Sequence, residues 1–135
     1  MNFRGTLLLP LDIQHDRDGS RIDPAGVAFI PDHEYPVSVE FKNDIDSIVG
    51  KATVSRDETG ALVLSGELWG SAAEMMEAAK EKPEHNALKP AIGVIVHEST
   101  GDTPAERVYT KTTLFSIAVC REHADPDQPV IEAAP

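Results

Sequence analysis

Ile48-Val49-Gly50-Lys51-Ala52-Thr53-Val54-Ser55, then Asp57-Glu58-Thr59-Gly60, then Leu62-Val63-Leu64-Ser65-Gly66-Glu67-Leu68-Trp69 is the stretch that decides the fold. Two runs rich in β-branched and aliphatic residues flank a turn of Asp, Thr and Gly, which predicts a β-hairpin. In the second run Leu62, Leu64, Gly66 and Leu68 share one face and Trp69 falls on the other. The segment that follows changes period. Ala72, Met75, Met76 and Ala79 form a helical stripe, with Glu74, Glu77, Lys80 and Glu81 mostly opposite it. A helix is therefore predicted over about 71–82, with Ser71 and Glu74 as a capping box and Pro83 as its stop.

Outward from this centre the chain reads mostly as strands. Residues 3–9 form an apolar run that stops near Pro10, and residues 37–41 alternate strictly. Residues 91–96 and the long run 108–121 are rich in β-branched residues. Residues 16–20 are a turn cluster. Residues 21–30, with Pro24 and Gly26, read as an irregular connector, and 42–47 as a polar loop. Strands with one helix inserted predict an α+β, mostly antiparallel, β-barrel-like domain over residues 1–122. Residues 123–135 form an extended, proline-containing C-terminal arm.

Composition sets the limits. The 135 residues carry 12 basic and 23 acidic side chains, a net charge of −11. At about 100–200 residues per domain, this is one domain. An acidic surface without clustered Lys or Arg argues against a nucleic-acid partner and against anionic membranes. No apolar run approaches the ~20 residues that span a bilayer, and no signal-peptide pattern follows Met1. The single cysteine, Cys120, excludes an internal disulfide and any multi-cysteine metal site.

Chemistry-bearing patterns are sparse. His15, His33, His85, His97 and His123 show no metal-ligand spacing, and His97-Glu98 are neighbours that point opposite ways on a strand. Asp12, Asp16, Asp18 and Asp23 lack the terminal glutamate of a calcium loop. Cys120 sits in an apolar run and reads as a small buried hydrophobe. Gly66 to Gly70 lacks the Lys-Ser/Thr of a phosphate loop, and the Met75-Met76 pair reads as core. No cofactor or metal is implied.

Several segments, taken in order, are similar to the tailed-phage prohead (capsid-maturation) proteases, which share the fold of herpesvirus assemblin. They begin with Asp18-Gly19-Ser20-Arg21-Ile22-Asp23-Pro24-Ala25-Gly26-Val27-Ala28-Phe29, then Phe41-Lys42-Asn43-Asp44 and Ile48-Val49-Gly50-Lys51. The Gly60–Leu68 strand, the helix and Leu88-Lys89-Pro90-Ala91-Ile92-Gly93-Val94 follow. Leu114-Phe115-Ser116-Ile117-Ala118-Val119 and Ala124-Asp125-Pro126 close the match, which covers about residues 3–126. The resemblance implies a phage structural context and a protease-like fold. The catalytic histidine of the family falls on Asn43, its nucleophilic serine on Ala91, and the acidic residue of its last motif on Ser116. An amide is no base at neutral pH and a methyl group cannot attack, so the resemblance implies a scaffold without catalysis.

The role expected of such a scaffold is a capsid decoration or stabilising protein. It would bind the major capsid protein, form a homo-oligomer and sit on the outer surface of the virion, where −11 does not meet packaged DNA. A diverged active protease, a pseudoprotease that leaves on maturation, and an acidic β-rich binding module unrelated to phages are the alternatives. Trp69, Tyr35, Phe29, Val130 and Ile131 are the candidate apolar interface residues.

Overall fold

The computed structural model describes residues 1–14, 20–40, 47–82, 87–121, 123 and 125–135. The turn cluster at 16–19, the 41–46 stretch including Phe41 and Asn43, Pro83, His15, His85 and Ala124 lie outside them.

The predicted hairpin is β5 (Ile48–Arg56) with β6 (Leu62–Leu68), antiparallel from Gly50↔Leu68 to Arg56↔Leu62. Asp57 makes its turn. One carboxylate oxygen accepts the amides of Thr59 at 2.8 Å and Ala61 at 3.1 Å, and the Thr59 hydroxyl at 2.6 Å. Gly60 adopts φ +90, which a side chain would resist. Leu62, Leu64 and Leu68 are buried and face the core. Gly66 answers a different need: a Cβ there would lie 2.0 Å from the Lys51 carbonyl oxygen, so only glycine lets β5 come this close.

The sheet grows from both sides of this hairpin. On β6 lies β1 (Asn2–Leu8), antiparallel, and on the far edge of β1 lies the short β9 (Glu132–Ala133). On β5 lies β4 (Tyr35–Val39), also antiparallel. Beyond β4 is β8 (Val108–Cys120), and along the other edge of β8 runs β7 (Lys89–Thr100), antiparallel over nearly its whole length. The sheet is unclosed and the fold is mixed α+β.

Residues 21–30 differ from the expected irregular connector. They contain β2 (Arg21–Ile22) and β3 (Val27–Ala28), which with β4 lie end to end along one edge of β8, all three parallel to it. A 3-10 turn, Pro24–Gly26, separates β2 from β3, with the Asp23 carboxylate accepting the Ala25 amide at 3.0 Å. Two-residue strands carry no periodicity of their own. They exist because β8 offers them an edge.

The helix α1 (Gly70–Ala79) starts earlier than predicted and ends earlier. Trp69 occupies the N-cap and no side chain caps the end, so the Ser71–Glu74 capping box does not form. The reason is the exit from β6. The Trp69 amide donates to the Val49 carbonyl at 2.7 Å, holding this residue on the sheet, and Gly70 at φ +58 then turns the chain directly into the helix. Ala72 and Met76 are buried beneath it, as the stripe predicted.

The core is Phe3, Leu7, Val37, Leu62, Leu68, Ile117 and Val119 with their neighbours. The C-terminal segment docks on it. The Ile131 amide donates to the Leu88 carbonyl at 2.9 Å, the Ala134 amide to the Asn2 carbonyl at 2.9 Å, and the Gln128 side-chain amide to the Thr6 carbonyl at 2.6 Å. One strip of chain thus touches β1 on one side and the residue preceding β7 on the other. Ile131 is buried in the core over Gly5, where a Cβ would meet its methyl group at 2.9 Å. No helix among the described residues is long and apolar enough to cross a membrane.

Ile131→Ala should cost about 2–4 kcal/mol in chemical denaturation, whereas Val130→Ala, at an exposed neighbour, should stay within about 0.5 kcal/mol. The hydrogen bond from the Thr59 hydroxyl, ahead of the backbone amides, holds the Asp57 carboxyl below its ordinary range. The folded chain therefore binds that proton less readily, and the contribution is present above the ordinary carboxylate pKa and lost as pH falls through the lowered one. Asp57→Ala should reduce Tm near neutral pH, and the gap to wild type should narrow in acid.

Candidate functional site

The ends of several strands converge on a cavity of about 560 Å³. Leu7, Leu8 and Leu9 supply part of an apolar floor from the end of β1, and Ala91 and Ile92 supply more from the start of β7. Cys120 closes β8, and Arg121, His123, Asp125 and Gln128 follow it on the C-terminal segment. Glu40, just past β4, completes the polar side. Its φ of +52 breaks the strand there while its amide still donates to the Val119 carbonyl at 3.2 Å.

Gln14 is buried at one wall and spends its amide on structure. Its Nε2 donates to the Leu9 and Ile22 carbonyls at 2.7 and 2.6 Å, and its Oε1 accepts the Ile22 amide at 3.0 Å. Asp125 is likewise buried, with Oδ1 accepting the Asp127 amide at 2.9 Å.

Cys120 and His123 bring a thiol and an imidazole to this cavity. Cys120 is half-buried, and its thiol contacts the Lys89 carbonyl at 3.5 Å. Burial, then the nearby Glu40 charge, push the thiol pKa up, with Lys89 opposing only in part. A thiol raised this way stays protonated at neutral pH and is a weak nucleophile. His123 Nδ1 accepts the Asp125 backbone amide at 2.9 Å. An amide only donates, so Nδ1 carries no proton and the neutral ring holds its hydrogen on Nε2. That contact occupies the Nδ1 lone pair.

Ala91, the position matched to the family serine, is buried in the cavity wall and presents only a methyl group. Ser116 does not line the cavity. It pairs with Gly93 beside a bulge in the β7–β8 ladder. Asn43 lies outside the described residues. His97 meets Thr113 Oγ1 at 2.7 Å and His33 packs edge-on against Tyr35, so these two histidines serve local structure. Asp23 caps its turn, as described above. Among the described residues no cluster of three or more His, Cys, Asp or Glu could hold a metal ion.

The apolar interface candidates separate. Trp69 and Val130 are exposed, at 42% and 43%. Phe29 is partly buried against the core, with the Arg56 guanidinium 4.9 Å from its ring centre. Tyr35 and Ile131 are not surface anchors. The Tyr35 ring is buried and its hydroxyl accepts the Ile30 amide at 2.9 Å, while Ile131 fills the space that Gly5 leaves. Sequence reasoning missed Phe115, which is 69% exposed. Leu114 and Ile117 are both buried though three residues apart, an offset that strict alternation forbids. That broken alternation was the available signal for a bulge, and the bulge ejects Phe115.

No known family model matches the chain, and no curated protein matches it.

The raised thiol makes a direct prediction. Alkylation of Cys120 by iodoacetamide should be slower than that of a free thiol at mildly alkaline pH, with its midpoint above the ordinary thiol range. Because the folded state holds this proton more tightly, stability should fall as pH rises from the ordinary thiol pKa through the raised one. Cys120→Ser should remove that part of the decline.

Proposed function

We propose that this chain is a non-catalytic virion structural protein of a tailed phage, a capsid decoration or stabilising protein built on an inactive prohead-protease-like fold. The observation that carries the reading is the side chain at position 91, a methyl group in a cavity wall where the family resemblance calls for an attacking hydroxyl. Of the side chains that line the cavity, the Cys120 thiol is held protonated and His123 Nδ1 is engaged by a backbone amide. Acyl transfer needs an activated nucleophile and a base beside it. Without them the scaffold retains only the capacity to bind.

The unclosed sheet fits an opened version of the protease scaffold, with the C-terminal strip spanning β1 and the approach to β7. The major capsid protein is the proposed partner, and a homo-oligomer the proposed state. The net charge of −11 favours the outer face of the shell over the DNA-facing one, and gives neither nucleic acid nor an anionic membrane a surface to bind. A gripping role calls for no cofactor.

The competing reading, a diverged protease, draws on the same cavity, because Cys120 and His123 both line it. One pair of experiments separates the readings. Purified mature particles should contain the polypeptide in fixed proportion to the major capsid protein. Its presence in proheads but absence from mature particles would assign it to assembly alone. Incubation with the capsid precursor should leave every terminus intact, and cleavage abolished by Cys120→Ser or His123→Ala would establish the protease.

A further inference from the structure

The β7–β8 hairpin differs in charge from the rest of the chain. Residues 89–120 hold Lys89, Arg107 and Lys111 against Glu98, Asp102 and Glu106, a net charge of zero. The whole surplus of −11 therefore resides outside the hairpin. Lys111 and Glu98 also neutralise each other locally at 3.5 Å.

The same hairpin presents apolar side chains to solvent. Ile95, Val96 and Phe115 are all exposed. Ile95 faces Thr113 across the ladder, and Phe115 is two residues further along β8, so Ile95 and Phe115 lie on one face. The register shift between Gly93 and Val94 leaves Phe115 without a cross-strand partner to cover it. His97 shares that face through its contact with Thr113. Among the described residues, 94–100 pair with no strand other than β8.

These features select a partner. A basic protein would be drawn to the acidic remainder, and two acidic bodies repel wherever their charged surfaces meet. The neutral hairpin lets two bodies of −11 approach, and its apolar centre gives them area to bury. We infer that the outer face of β7–β8, centred on Phe115 and Ile95, packs on the same face of a second copy of this chain about a twofold axis. The inference does not rest on the virion assignment.

Sedimentation velocity of the full chain, over a concentration series from micromolar to several hundred micromolar, tests it. The wild type should dimerise reversibly. Added salt should tighten the dimer, because it screens the acidic remainders while the contact itself carries no net charge. Phe115→Glu should weaken dimerisation by roughly a hundredfold or more, since each dimer loses two buried phenylalanines. Its circular dichroism and Tm should match wild type, as befits an exposed position. Ile95→Glu should act in the same direction, and decides the matter if Phe115→Glu disturbs folding. A wild type that stays monomeric at every salt concentration overturns the inference. So does a dimer that survives both substitutions, or one that loosens as salt is added.

Discussion

The fold depends on both edges of one strand being used at once. β8 gives its full length to β7 on one side, and on the other accepts β2, β3 and β4 in succession. Two of these pieces, β2 and β3, are too short to stand alone and become part of a sheet because a single continuous partner satisfies their backbone groups. The join is tight where the 3-10 turn crosses it. A Cβ on Gly26 would lie 1.8 Å from the Thr110 carbonyl oxygen, so the connector can follow β8 only with glycine there.

The cavity forms where this arrangement runs out of ladder. The ends of β1 and β8, the start of β7 and the segment after Cys120 border a space that no strand among the described residues fills. Two of its polar side chains hold the fold: Gln14 ties the end of β1 to β2, and Gln128 ties the C-terminal segment to β1. The electrostatics run the same way. Burial and a nearby carboxylate act together on Cys120, opposite to what a reactive thiol needs. The walls of this pocket are therefore structural as well as lining.

Much of the framework was legible from local pattern. The β5–β6 hairpin, the β7 and β8 runs and the buried stripe of α1 follow from alternation, turn chemistry and helical spacing. What escaped was set by distant partners. β2 and β3 are specified by β8, Ile131 is buried because Gly5 makes room, and the helix starts at Gly70 because Trp69 is still bonded to β5. The candidate site was legible only as single positions. Ala91 and Cys120 were both singled out from the chain, but their meeting in one cavity depends on the β7–β8 register.

The long reach of β8 also orders events in time. Val37 pairs with Ile117, so one edge of β4 waits for a strand that leaves the ribosome 80 residues later. The strands β1, β4, β5 and β6 can assemble as an antiparallel unit from the first half of the chain. β2 and β3 have no edge to join until β8 is synthesised, and β9 latches last of all. Pairings of such separation are slow to form, so the nascent polypeptide carries an open β4 edge through most of its synthesis.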